Sequence, residues 1–389
     1  MYGEDIVRRP PSGDHDGTKT PDYSTMTGSE PLDDPGPLPG RASSSVADPG
    51  PTDQASSGHR DADRHRGLRL AMRLLRIGPL LILLGLVAVL AVLSPFFLST
   101  RNLGNVMAAT AAIAILSMGQ LLVILTRGID LSVGSTLALS SVAGALVFTG
   151  IDSGVVVVAA MLATGLLVGT INGVVYVAGR LPHPFIITLA MLSIARGLAL
   201  WLSGGQPIRG MPDIVNTIGG SNIGWFPVSA VLVLGIAVLV YVLTTRIVWG
   251  RWIYAVGGNP EAARRTGIPV NKVLISVYML SGLAAGIAGV ITAGRLNAGS
   301  PTFGELAELD SIAAVVIGGA SFLGGRGSVL NALVGALMIG VIRNGMNLLA
   351  VDAFFQLIVI GVVIVLAVEA DVLRGYLEER FRVIEAARS

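Results

Sequence analysis

The chain has 389 residues, a formal net charge of +2, 52% hydrophobic residues and only 13% charged ones. A soluble domain carries roughly a quarter charged residues, so this composition, with a mean hydropathy of +0.72, excludes an ordinary soluble enzyme. The absence of cysteine removes disulfides, thiolate metal sites and cysteine nucleophiles, and His15, His59, His65 and His183 have no metal-ligand spacing.

Residues 1–66 are expected to be a disordered, solvated tail. They contain Pro10, Pro11, Pro21, Pro31, Pro35, Pro37, Pro39, Pro49 and Pro51 among many Gly, Ser and Asp, with Tyr2 and Tyr23 as the only aromatics. Such a stretch buries too little apolar surface to offset the entropy of ordering it. Arg60, Arg64, Arg66, Arg69, Arg73 and Arg76 follow, and then the apolar run Gly78 to Phe97. That run is too long and too far into the chain for a signal peptide, and it reads as a first transmembrane helix.

The remaining spans are expected at Leu103–Thr126, Leu131–Thr149, Val155–Val177, Phe185–Leu202, Phe226–Thr245, Val273–Ala293, Leu309–Leu323, Ser328–Leu349 and Ala353–Val368. The third, eighth and tenth are short for a ~30 Å core, which leaves tilting, a broken helix or partial re-entry open for them. The fold class is therefore all-α, a polytopic membrane protein with about ten transmembrane helices. Its domains are the 1–66 tail, a 67–372 membrane domain and a 373–389 C-terminal tail.

Basic residues fix the expected orientation. Arg127, Arg180, Arg246, Arg251, Arg264, Arg265, Lys272 and Arg326 fall in one set of loops, against Arg101, Arg209 and Arg295 in the other. The positive-inside rule then puts both termini in the cytoplasm. The same placement accounts for the isoelectric point near 9.1, so nucleic acid is not an expected partner. An internal echo supports two five-helix repeats: Ile129-Asp130-Leu131-Ser132-Val133 against Leu309-Asp310-Ser311-Ile312, and Ile171-Asn172-Gly173 against Arg343-Asn344-Gly345.

The chain has no nucleotide-binding loop of the G-x-x-x-x-G-K-[ST] type, since its two lysines, Lys19 and Lys272, follow Thr18 and Asn271. No catalytic residue, metal site or cofactor is expected. The glycines around Gly318–Gly327, and Gly282, Gly286 and Gly289, read as sites of close helix approach. Asp130 and Asp310 open spans, where each is either a cap for the following helix or part of a polar path. Arg196 and Arg343 lie within spans and either line that path or bond neighbouring helices or carbonyls. Asn172, Asn344, Asn347 and Gln356 suit a hydroxyl-rich solute or helix-to-helix hydrogen bonds equally well.

The inner connection 246–272 is longer than the others. Asn259-Pro260-Glu261 reads as an N-cap, a first-position proline and an acidic first turn. Ala262, Ala263, Arg264 and Arg265 continue a short helix, and Gly267 ends it. Such a helix either seats in a groove of a soluble partner or is an ordinary surface helix.

Several of these stretches together resemble one family. Arg127-Gly-Ile-Asp-Leu-Ser-Val-Gly-Ser135 resembles the "GIDLSVGS" signature of ribose-type ABC transporter permeases. Asn172-Gly173, Leu181-Pro-His-Pro-Phe-Ile-Ile-Thr-Leu189, Ser193-Ile-Ala-Arg-Gly197, Gly257-Gly-Asn-Pro-Glu-Ala-Ala-Arg-Arg-Thr-Gly-Ile268, Ile317 to Ser328 and Arg343-Asn-Gly-Met-Asn-Leu348 follow in the family's order. The resemblance covers about Arg76 to Val372; the N-terminal 66 residues depart from it. It implies a multi-pass bacterial plasma-membrane subunit, a homodimer or heterodimer of permeases, docked to a cytoplasmic ABC ATPase. An extracytoplasmic solute-binding protein would deliver a monosaccharide or related solute. The coupling residues would be Asn259, Glu261, Ala262, Ala263, Arg264 and Gly267, and the pathway candidates Asp130, Asn172, Arg196, Asp310, Arg343, Asn344 and Asn347. A branched-chain amino acid permease and a secondary sugar or ion carrier are the competing readings. A membrane-embedded enzyme is a more distant one.

Overall fold

The structure is a computed structural model that describes residues 78–386, so the expected 1–66 tail lies outside the described residues. In chain order the helices are α1 (Gly78–Leu93), α2 (Thr100–Leu125), α3 (Val133–Gly150), α4 (Gly154–Ala178), α5 (Phe185–Ser203) and α6 (Asp213–Gly220). After these come α7 (Val228–Thr245), α8 (Val248–Gly258), α9 (Pro260–Arg265), α10 (Val270–Leu296), α11 (Ala307–Ile317), α12 (Val329–Leu348) and α13 (Ala353–Ala386). Seven of them, α2, α3, α4, α5, α7, α10 and α12, are long and apolar enough to cross a membrane. The protein is a polytopic, nearly all-helical membrane protein, as expected of a chain that must satisfy every backbone group without water. The departure from all-α is small: Ile208–Arg209 pairs antiparallel with Ala298–Gly299, and Asn222–Ile223 with Phe226–Pro227.

Burial sorts the helices into layers. In α2, α3 and α10, 78%, 67% and 61% of the apolar window is buried, against 28% in α4, 22% in α5 and 28% in α7. The first three form the centre, and the last three turn Val156, Leu167, Ile186, Leu198, Leu234 and Val238 outward, as lipid-facing helices do. Glycines permit the central packing. A Cβ at Gly282 of α10 would sit 2.7 Å from the Gly169 Cα of α4, so the two backbones touch. Small residues are what allow that approach when lipid offers no hydrophobic drive between helices.

The expected helix ends hold to within about a turn, except at the eighth segment and at the end of the tenth. At the eighth the chain leaves α10 through Asn297 in the left-handed region, runs without helix from Ala298 to Leu306, and only then forms the 11-residue α11. This stretch packs inside the bundle. Ser300 N donates to Ser141 Oγ at 3.2 Å, and a Cβ at Gly304 would lie 3.2 Å from the Gly134 Cα at the start of α3. Non-helical backbone at such depth survives only when protein or a cavity surrounds it. The cluster after α11 also divides. Gly318 faces the α12 backbone, where an added Cβ would meet Asn331 C at 2.7 Å. Gly319, Gly324 and Gly325, by contrast, have φ of 87°, 77° and 70° and form turns, a conformation glycine adopts without strain. At the C-terminal end, α13 carries helical backbone to Ala386, through most of the stretch read as a tail.

Candidate translocation site

A cavity of about 280 Å³ opens between α2, α3, α10, α11, α12 and the extended segment. Ala108, Ala112 and Leu116 give it an apolar wall, while Arg295, Glu305, Asp310 and Arg343 give it two cations and two carboxylates. The formal charges cancel, which suits a neutral or zwitterionic polar solute better than an ion. Asp310 accepts from Arg343 Nη2 through both oxygens, at 2.9 and 2.7 Å. The carboxylate is nearly buried and the guanidinium about one-third exposed, so the pair is fixed on the α11 side and open on the other. A second cavity of about 450 Å³ shares Ala108 and Arg295 with the first and is bounded by Arg101, Asn105, Asn222 and Trp225. The two cavities thus adjoin at Ala108 and Arg295.

Of the pathway candidates, Asp310 and Arg343 are brought together at this cavity, and the others are placed elsewhere. Arg196 Nη1 donates to Phe303 O at 2.9 Å and to Pro301 O, capping carbonyls that the extended segment leaves without helical partners. Asn344 exchanges a pair of 2.9 Å amide bonds with Asn102, and Asn347 accepts from Gln356 at 2.9 Å, so both join helices. Asp130 does not cap α3. Its carboxylate accepts from Ser132 N at 3.0 Å, Ser132 Oγ at 2.7 Å and Ser281 Oγ at 2.9 Å, while Asn172 donates to Ser132 Oγ at 2.8 Å. This buried knot ties the turn before α3 to α4 and α10.

Sequence reading missed Glu305 and Arg295, which line the cavity, and Glu308. The Glu308 carboxylate is buried near Gly134, with one oxygen lacking a hydrogen-bond partner. The available signal was Gly299, Pro301 and Gly304 interrupting an apolar region just before Asp310, since unwound segments mark binding sites in transporters.

At the other end of the bundle, α9 is built as expected from local rules. Asn259 Oδ1 accepts from Glu261 N and Ala262 N at 3.0 Å each. The helix closes in a Schellman pattern, Ile268 N to Ala263 O and Gly267 N to Arg264 O, both 3.1 Å; Gly267, at φ 85°, therefore follows the cap residue Thr266. The preceding α8 was not anticipated, and its end is clamped. Arg127 Nε donates to Gly257 O at 2.6 Å and its Nη2 to Gly258 O. Gly325 N donates to Leu125 O at 2.9 Å, and Tyr254 Oη to Gly327 O at 2.9 Å. The ends of α2, α8 and the α11–α12 turn thus meet at one point, directly before α9.

Comparison with known proteins shows what this architecture belongs to. Residues 102–368 match the family model described as the permease component of the branched-chain amino acid transport system. The chain belongs to this family of transport permeases. Its relatives include the ribose import permease protein RbsC of Escherichia coli K12, 44% identical over 75% of this chain and 92% of the relative. The D-allose transport system permease protein AlsC of the same organism is 40% identical over 76% and 91%. A probable ABC transporter permease protein, y4mJ, of Sinorhizobium fredii is 40% identical over 71% and 83%. No solved structure matches. In this permease the stretch around Asp130 lies at the clamped end, while Asp310 and Arg343 line the cavity. The permease is a multi-pass protein of the cell membrane and a transport subunit of the ribose type.

Proposed function

We propose that this permease translocates a monosaccharide as the membrane subunit of an ATP-driven importer. The observation that carries the reading is the charge-balanced cavity at Asp310 and Arg343, bounded by non-helical backbone inside the bundle. Carboxylates accept from sugar hydroxyls and guanidinium groups donate to them, so Glu305, Asp310, Arg295 and Arg343 offer both halves of hydroxyl recognition. The names of the relatives, ribose and allose permeases, favour a pentose or hexose over a branched-chain amino acid.

In this reading the chain crosses the membrane about ten times, with α1, the segment containing α11 and the first part of α13 adding to the seven long helices. Both termini and the α9 end face the cytoplasm, in line with the clustering of Arg127, Arg180, Arg264 and Arg265 there. Two inverted five-helix halves are supported by a shared bonding plan. Asn172 of α4 bonds the turn opening α3, and Arg343 of α12 bonds the first turn of α11. Two permease subunits, identical or not, sit above two ATPase subunits, which hydrolyse the ATP. An extracytoplasmic binding protein delivers solute to the Arg101–Trp225 mouth. Closure of the ATPases pushes α9, and the Arg127 clamp passes the push to α2 and to the α11–α12 turn, which carry the cavity walls. The solute class is tested by competition: ten unlabelled sugars and leucine against labelled ribose, in vesicles holding the permease, its ATPase and its binding protein. Competition by pentoses or hexoses supports the reading, and competition by leucine alone replaces it with the amino-acid permease.

A further inference from the structure

Beside α9 lies a cavity that the transport reading does not use. It holds about 440 Å³ and is bounded by Arg180 just past the end of α4, Arg264 of α9 and Asn271 of α10, together with Tyr176, Val177, Leu181 and Leu274. Two guanidinium groups and an amide therefore share one cavity with three aliphatic side chains, at or just beyond the ends of two membrane-spanning helices. The one carboxylate of α9 is committed elsewhere, since Glu261 accepts from Arg265 at 2.5 Å. Arg264 reaches Asn271 Oδ1 at 3.4 Å, and neither Arg180 nor Arg264 has a carboxylate partner among the described residues. Nothing in the cavity neutralises it. Arg180 lies in the turn after α4, at φ 49°, and lines the cavity.

We propose that this cavity binds the phosphate of an anionic membrane phospholipid. Arginine forks match phosphate oxygens, and basic pockets between helices at the membrane surface take lipid headgroups while the acyl chains stay in the bilayer. The aliphatic side chains of Val177, Leu181 and Leu274 beside the arginines offer contacts that a lipid uses and a free phosphate does not. A headgroup there would bridge α4, α9 and α10, tying the coupling helix to the bundle, so membrane composition would tune how firmly α9 is held.

The test uses the full chain in nanodiscs of phosphatidylcholine with one-fifth phosphatidylglycerol, extracted into mild detergent and read by native mass spectrometry for retained lipid. The wild type retains phosphatidylglycerol, and Arg180→Gln with Arg264→Gln lowers its apparent affinity about 30-fold, about 2 kcal/mol at 1.4 kcal/mol per tenfold. Arg246→Gln with Arg251→Gln removes equal charge from the same end and leaves retention unchanged. A monodisperse elution profile and an unchanged thermal midpoint show that each variant is folded, and Arg180→Gln alone serves if the pair is not. Equal loss in both pairs would reduce the effect to general surface charge and overturn the proposal. So would protection by inorganic phosphate alone, in lipid-free micelles, with the same dependence on Arg180 and Arg264.

Discussion

Gly257→Ala separates transmission from folding because its neighbour provides a matched control. A Cβ at Gly257 would lie 2.6 Å from Gly325 N and closer still to the Leu125 carbonyl oxygen, and both are backbone atoms that cannot rotate away. Ordinary contact begins near 3.4 Å, so the junction must open by at least about 0.8 Å at Gly325. That opening strains the Gly325 N to Leu125 O bond and the Arg127 bond to Gly257 O, now 2.9 and 2.6 Å. Overpacking of this kind costs about 1–3 kcal/mol, or roughly fivefold to 150-fold in the population of the clamped junction. A Cβ at Gly258 meets nothing within 4 Å, so Gly258→Ala makes the same chemical change one residue away without strain. The assay is ATP-driven uptake in vesicles, alongside ATPase stimulation by the loaded binding protein and the affinity of the permease for its ATPase. Gly257→Ala is expected to lose at least about fivefold in coupled uptake with ATPase binding retained, while Gly258→Ala behaves as wild type. Wild-type uptake by Gly257→Ala, or equal loss in both variants, refutes transmission through this junction.

Three further outcomes follow from the same contacts. Asp310→Asn strands the Arg343 charge; a fully buried pair loses about 3–5 kcal/mol on such a change, and the one-third exposure of Arg343 reduces this to about 1–2, read as a lowered unfolding midpoint with lost uptake. In the double variant with Arg343→Met, stability should recover and uptake should not. Arg196→Ala leaves the Pro301 and Phe303 carbonyls unpaired, at about 1–3 kcal/mol each, and should lower uptake per folded molecule at least tenfold; a fall in abundance alone would confine Arg196 to a structural role. Asn259→Ala removes an N-cap worth about 0.5–2 kcal/mol from a six-residue helix, so hydrogen exchange in α9 should rise and coupled uptake fall while the spans stay protected.

The parts legible in the sequence are those set by short range or by lipid. The apolar runs gave the long helices because a membrane permits little else, and α9 was readable because Asn259, Pro260 and Gly267 act within one turn. The unwound segment before α11 was not readable. Its depth depends on Ser141 and Arg196, more than a hundred residues earlier, which accept it into the bundle. For the same reason Arg295 looked like a loop residue, while Asn344 suited a path or a helix-to-helix bond equally well until its partner, Asn102, 242 positions away, was in view. Charge type and approximate depth were visible in the sequence, whereas the partner of each group required the fold.

The most direct test is solute uptake in sealed vesicles containing this chain, with its ATPase and binding protein added or withheld. Ribose or another monosaccharide should accumulate only when both are present with ATP, and Gly257→Ala should lower that accumulation at least about fivefold. Uptake by the permease alone, down a gradient or driven by an ion, would contradict an ATP-powered role.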